Sequence, residues 1–307
     1  LKAVISPHWF KFTIPKEYTD EELEAICLDL FGHGYSKFER TFKQRDYYRD
    51  CKTLQELVSV YRNGWMKNKG STCFDVSGTG LDTLGLDIAK LGKFALDNGG
   101  NICRIDIATQ DVNNYLPYDT MVNLCLAPNF KDRIRTRFNR GKGNAPKIEL
   151  QPIRRIVLGS EHSDNYLVIY DRQQTEEVDF PWLCLEQRIQ NREDCAEIIR
   201  TLLSGKDAGE YYAGLLRGKL DFLQAGGKKE RRKVEPWWTD FLGDVARCKI
   251  KRLPKEKNPW RFRGASATDV GKALRTIRRM EQRQDADGLQ QILQQAKESY
   301  EVATLDF

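Results

Sequence analysis

The sequence predicts an α+β fold: a mostly antiparallel central sheet with flanking helices, followed by a helical C-terminal tail. Three observations carry that expectation. "HWFKFTI" (8–14) and "ICRIDIATQD" (102–111) alternate with the period of half-buried strands. "KIELQPIRRIVLG" (147–159) and "NYLVIYDR" (165–172) are joined by the polar turn "SEHSD", which reads as a hairpin of antiparallel neighbours. Helical stretches stand between the strands without the repeating βαβ order of a parallel sheet.

Taken in order, "HWFKFTI" is bounded by Pro7 and Pro15, as a strand would be. Thr19 and Glu22 form a capping-box pattern that opens a helix to about Phe31, stopped by Gly32. "TCFDVSG" (72–78) is the next strand. It enters "GTGLDTLG" and a helix to about Leu96, which stops in "DNGG". Strand, glycines and helix in that order suggest nucleotide binding, but the spacing G-x-G-x-x-x-x-G lacks the close third glycine. A turn needing small residues explains the glycines as well.

After "ICRIDIATQD" come a helix around 118–126, a basic loop "KDRIRTRFNRGKG" (131–143) and the hairpin. A strand "WLCLEQRI" (182–189), an amphipathic helix from Arg192 to Leu203 and a second helix over 209–223 follow. Polar helices over 268–283 and 286–303 close the chain. The expected division is a folded domain over 1–226, a basic aromatic segment over 227–265 that packs on the domain or on DNA, and the helical tail over 266–307.

The chain has 307 residues, 40% of them hydrophobic, and a net charge of +6. No run reaches the apolar length of a membrane span and no secretory signal is visible, so the expectation is a cytoplasmic protein. The eight cysteines are scattered without a C-x-x-C pair and read as reduced, buried small residues. The three histidines, His8, His33 and His162, form no metal motif. Charge is concentrated late. Residues 228–279 hold 17 Lys/Arg against 6 Asp/Glu, an excess larger than that of the whole chain. Lys228, Lys229, Arg231, Arg232, Lys233, Lys249, Lys251 and Arg252 stand there with Trp237 and Trp238, a mixture suited to phosphates and bases.

In "ICRIDIATQD", alternation puts Cys103, Ile105, Ile107 and Thr109 on one face. Ile102, Arg104, Asp106, Ala108 and Gln110 fall on the other. Arg104 and Asp106 therefore point the same way. That is either a solvated ion pair or a carboxylate placed for a divalent cation beside an arginine placed for a phosphate.

From "HWFKFTI" through "FDVSGTG", "RIDIATQD", "GSEHSDNYLVIYDR" and "LEQRI" to "PWWTDFL", the chain resembles the Rep-trans family. That family comprises the replication initiation factors of rolling-circle plasmids and filamentous phages, with the relaxases of some conjugative elements. The resemblance covers about His8 to about Trp260. It implies a Rep-like nicking fold and a DNA-nicking and religating enzyme, in which a tyrosine attacks an origin phosphodiester with help from Mg²⁺ or Mn²⁺ bound mainly by carboxylates. On that basis Asp106 and Glu186 are candidate metal ligands with Asp111 as a third, and Arg104 and Arg172 are candidate phosphate contacts. Origin DNA, single-stranded or hairpin, is the implied partner, together with a second copy of the chain and a helicase.

The sequence departs from the family in three places. "RIDIATQD" carries Gln110 where an acid is common, and "CLE" keeps Glu186 without the usual arginine before it. Initiators also place their tyrosine early in the following helix, where this chain has Ala196 beside Cys195. The nearest downstream tyrosines, Tyr211 and Tyr212, are therefore the candidate nucleophiles, with Tyr166 and Tyr170 as others within reach. The alternative is a Rep-like DNA-binding protein, acting at origins or in regulation, that has lost the nucleophile.

Overall fold

A computed structural model describes residues 4–41, 47–127, 134–136, 146–150, 154–227, 231–243, 245–248, 250 and 294. The named strands and helices belong to one compact unit, Leu1–Arg252, separate from a second over Leu253–Phe307. Apart from Gln294, the tail helices expected over 268–283 and 286–303 lie outside the described residues, as do Lys228, Lys229, Lys249, Lys251 and Arg252.

In chain order the first elements are β1 (Val4–Ile14), α1 (Asp20–Phe31), β2 (Glu39–Thr41), β3 (Tyr48–Leu54), β4 (Val58–Gly64) and β5 (Thr72–Ser77). Then come α2 (Gly78–Thr83), α3 (Ile88–Asp97), β6 (Asn101–Asp111), α4 (Tyr118–Leu126), β7 (Ile134–Thr136), β8 (Lys147–Glu149), β9 (Arg155–Leu158) and β10 (Asn165–Asp171). The remainder are α5 (Gln173–Glu176), β11 (Leu183–Ile189), α6 (Arg192–Leu203), α7 (Ala208–Lys219), β12 (Leu220–Phe222) and α8 (Pro236–Leu242).

Ten strands form one sheet in the order β2-β3-β4-β5-β1-β6-β11-β10-β9-β8, and every pairing in it is antiparallel. This is the predicted fold class. β1 and β6 lie at the centre because each is eleven residues long and pairs with long neighbours on both sides. One face of the sheet is apolar: Phe10 and Phe12 of β1, Phe74 of β5, Ile105 of β6, Leu167 of β10 and Ile189 of β11 are each fully buried there. Helices supply the other half of that core, with Leu91 and Ala95 from α3 and Ile198 and Ile199 from α6. α3 and α6 approach closely at Gly92, where a Cβ would lie 2.6 Å from the Ile199 side chain.

Several local readings hold. The Thr19–Glu22 capping box is formed in both directions, and Gly32 closes α1 at φ 72°. Others are revised by tertiary pairing. The expected strand over 147–159 is two, β8 and β9. The helix expected to reach 223 stops at Lys219, because Leu220–Phe222 pair with β7 and bury all three side chains. The hairpin strands β2, β3 and β4 were not read from the sequence.

β6 alternates as expected from Arg104 onward but not before it. Lys11 pairs with Arg104 and Phe12 with Ile102, so Cys103 bulges out of the ladder. The bulge returns Ile102 to the core, 1% exposed, rather than to the face of Arg104. A second irregularity, between Pro7 and Trp9, leaves His8 unpaired in β1.

Candidate active site

The second face of the sheet is polar, and its charges meet where β1, β6, β11 and β10 lie side by side. Asp106 is opposite Arg188 across the β6–β11 ladder and opposite Trp9 across β1–β6. Glu186 is opposite Val168 of β10 and two positions from Arg188. Two-residue periodicity therefore sends Arg104, Asp106, Glu186 and Arg188 to the same side.

Arg104 grips Asp106 with two nitrogens, its Nε lying 2.8 Å from Oδ1, while its Nη2 reaches Oδ2. Arg188 bonds Glu186 Oε1 through Nε, which lies 3.9 Å from Asp106 Oδ2, so one guanidinium touches both acids. His8 Nδ1 is 3.3 Å from Glu186 Oε2, and the Tyr170 hydroxyl donates to the same oxygen at 3.2 Å. Tyr166 accepts from Arg188 at 3.2 Å. Trp9 lies under the Arg104 guanidinium at 4.7 Å and donates through Nε1 to Asp75 at 2.6 Å.

The two carboxyls are pushed apart. Burial raises Asp106 to about 6, and the bonds and charge of Arg104 only partly offset it. Glu186 is also buried, but the His8 contact and Arg188 outweigh that burial and bring it down to about 2. One acid is thus ready to titrate near neutral pH beside one that stays ionised. Burial likewise pushes the Tyr170 phenol far up, with the charge of Glu186 acting the same way.

His8 is the member that the sequence reading missed. It is held by the "GTG" stretch: a Cβ on Gly78 would meet the His8 carbonyl oxygen at 2.6 Å and its ring at 2.6 Å, and one on Gly80 would meet Leu57 O at 2.2 Å. The glycines serve close approach of α2 to the strands. Arg188 was also missed, although its i,i+2 spacing from Glu186 repeats the Arg104–Asp106 pattern.

Other predicted site residues are placed elsewhere. Asp111 is not with Asp106 and Glu186. Its carboxylate caps the following turn, accepting from the backbone N–H groups of Asn113, Tyr115 and Leu116 at 3.1, 3.1 and 2.7 Å. Tyr211 and Tyr212 are 3% and 2% exposed on α7, within the helix-covered core, where burial raises both phenols. Neither hydroxyl can meet a phosphodiester on the polar face. Arg172 pairs with Glu176 at 2.5 Å and stacks on Trp182 at 4.4 Å. Trp238 of α8 is fully buried and presents no face to a base, and Trp237 packs on Phe222. Arg231 and Lys233 are exposed, whereas Arg232 donates to the carbonyls of Gly226 and Gly227.

Of the donors on the polar face, the two carboxylates are the kind a hard divalent cation takes, whereas the His8 imidazole is not. Among the described residues no three such side chains stand as a ready-made metal cluster. Arg104 and Arg188 occupy the carboxylates instead.

Comparison with known proteins gives this geometry its context. The family model described as replication initiation factor, Rep_trans, matches residues 100–293. The Bacillus subtilis (strain 168) protein named "Putative DNA relaxase NicK" is 24% identical over 244 residues, 72% of this chain and 67% of that protein. The solved structure of a rolling circle replication initiator protein from Geobacillus stearothermophilus shares the fold. Its TM-score is 0.63 at 19% identity, over 82% of this chain and 100% of that one. With β6, β10 and β11 and the Arg104, Asp106, Glu186 and Arg188 side chains inside the matched segment, this chain belongs to the replication initiation factor family of rolling-circle initiators and relaxases.

Proposed function

We propose that the chain cuts and rejoins one strand of origin DNA on the polar face of its sheet, with Tyr170 as nucleophile. The observation that supports this reading most is the Tyr170 hydroxyl donating to Glu186 amid Asp106, Arg104, Arg188 and His8. Of the tyrosines on this face, Tyr166 is only 5% exposed, whereas Tyr170 is partly exposed.

In the proposed reaction the phenol oxygen of Tyr170 bonds to phosphorus while its proton leaves along the hydrogen bond to Glu186 and passes on to solvent water. The bond from phosphorus to the 3′ oxygen breaks and that oxygen takes a proton from solvent water and leaves as a free 3′-OH, so the 5′ end stays on the tyrosine. Arg104 and Arg188 turn from the carboxylates to the phosphoryl oxygens and offset charge as it builds. Asp106 and Glu186 would hold Mg²⁺ or Mn²⁺ with His8 beside them, and such a cation supplies Lewis-acid polarisation of a non-bridging oxygen. Attack by the 3′-OH on the phosphotyrosine reverses the sequence and reseals the strand.

A second reading, a DNA-binding protein without nicking, is favoured by Ala196 at the usual tyrosine position and by the burial of Tyr211 and Tyr212. End-labelled single strands tiled across a replicon, incubated with Mn²⁺, separate the two. The enzymatic reading expects discrete cuts that Tyr170→Phe reduces at least 100-fold while leaving DNA affinity unchanged. Metal-independent binding without any cut would support the second reading.

A further inference from the structure

The β3–β4 hairpin ends in a lip of exposed aromatic and basic side chains that the proposed reaction does not use. Trp65 is 43% exposed, Tyr47 42% and Met66 67%. The Trp65 and Tyr47 rings meet edge to face at 5.3 Å, and Lys67 Nζ lies 4.7 Å from the Tyr47 ring centre.

The lip is built rather than slack. Trp65 N–H donates to Tyr47 O at 2.9 Å, Asn68 N–H to Trp65 O at 3.1 Å, and Lys69 N–H to Met66 O at 3.2 Å. The turn folds tightly over Gly64, where a Cβ would lie 2.0 Å from Asn68 O. Tyr47, Asn63 and Met66 all take positive φ, 66°, 53° and 51°. For tyrosine and methionine that is a strained conformation, kept only where the surroundings impose it.

Beside the lip a groove of about 840 Å³ runs along the polar face to Trp9 and Arg104 of the candidate active site. Lys11, Lys67, Lys69, Arg104 and Arg192 line it, against two carboxylates, Asp75 and Asp164. Cations along a groove suit a phosphate backbone, and outward aromatic rings suit unpaired bases, since every base offers a face for stacking. The bases of a duplex are already stacked on one another.

We propose that this groove and lip seat single-stranded DNA on one flank of the acid–arginine centre, with bases stacked on Trp65 and Tyr47 and phosphates along Lys67 and Lys69. The inference rests on the DNA-handling part of the proposed function and is independent of cleavage.

The test is fluorescence anisotropy with the full chain in EDTA, where cutting is blocked, using a labelled oligothymidylate and a labelled blunt duplex. Trp65→Ala is expected to weaken single-strand binding about tenfold and duplex binding less than twofold, with Trp65→Phe restoring most of the loss. Lys67→Ala combined with Lys69→Ala is expected to flatten the salt dependence of single-strand binding by roughly one to two in log–log slope. Because these side chains are exposed, circular dichroism should be unchanged in each variant. Single-strand affinity within twofold of wild type in both Trp65→Ala and Tyr47→Ala would overturn the proposal, as would equal losses on single strand and duplex. The two readings fail separately. Tight single-strand binding that needs Trp65, without any nick under Mn²⁺, removes the nicking reading alone; nicking with binding indifferent to Trp65 removes the lip alone.

Discussion

Asp106 is a buried carboxyl whose ionisation costs stability. Its carboxyl is raised to about 6 in the folded chain by burial, against 3.8 unperturbed. Between those values the native state binds the proton more tightly than the unfolded chain does. Stability contributed by this group is therefore full below about pH 4 and falls as pH rises through 6. Asp106→Asn should remove that component, on the order of 3 kcal/mol across the window, seen as a flatter dependence of urea midpoint on pH. An unchanged slope would show that Asp106 does not titrate there. Arg188 is the shared counter-charge, so Arg188→Ala should destabilise the fold by on the order of 2 kcal/mol, discounted because the side chain keeps 30% exposure. That Arg104 and Asp106 share one face of the sheet was legible from alternation. The place of His8 was not, because a histidine in a bulge has no periodic signature, nor was the burial of Tyr211 and Tyr212, because sequence distance says nothing about which face of a sheet a helix covers.

At the scale of elements, short-range signals read well and pairing did not. The capping box of α1, the Arg192–Leu203 helix and the long central strands each follow from a local pattern. β12 does not, because Leu220–Phe222 continue a helical pattern until β7 captures them. Nor does the Cys103 bulge, which depends on the register of β1. Thr19→Ala should cost about 1 kcal/mol through the lost cap, measured by chemical denaturation. The contact between α2 and β1 has a larger consequence. Gly78→Ala pushes a methyl into His8, so we expect a loss of roughly 1–3 kcal/mol in stability together with slower strand cleavage. Gly80→Ala, against Leu57 O, should match the stability loss and leave His8 in place. Equal cleavage by both variants would separate His8 from the reaction.

The unit over Leu1–Arg252 uses one large sheet as a partition: helices and most of the apolar core lie on one face, and the Arg104, Asp106, Glu186 and Arg188 cluster lies on the other. Among the described residues no helix is long and apolar enough to cross a membrane. The partition also buries thiols. Cys27, Cys51, Cys73, Cys125, Cys184 and Cys195 are buried, leaving Cys103 and Cys248 partly accessible. Burial pushes Cys27, Cys125 and Cys184 up to about 12, so these thiols stay protonated at neutral pH. A thiol reagent applied to the native chain should modify Cys103 and Cys248 rapidly and the other six only on unfolding. Fast labelling of all eight would contradict the fold.

The partition also underlies the central claim, that strand cleavage takes place on the polar face and starts from Tyr170. The most direct measurement is mass-spectrometric mapping of the covalent adduct formed when the chain meets a cleavable single strand with Mn²⁺. The account predicts one nucleotide-bearing tyrosine, Tyr170, and no adduct with Tyr170→Phe or Glu186→Gln. An adduct on Tyr211, Tyr212 or any residue of the helix-covered side, or cleavage that survives Tyr170→Phe, would contradict it.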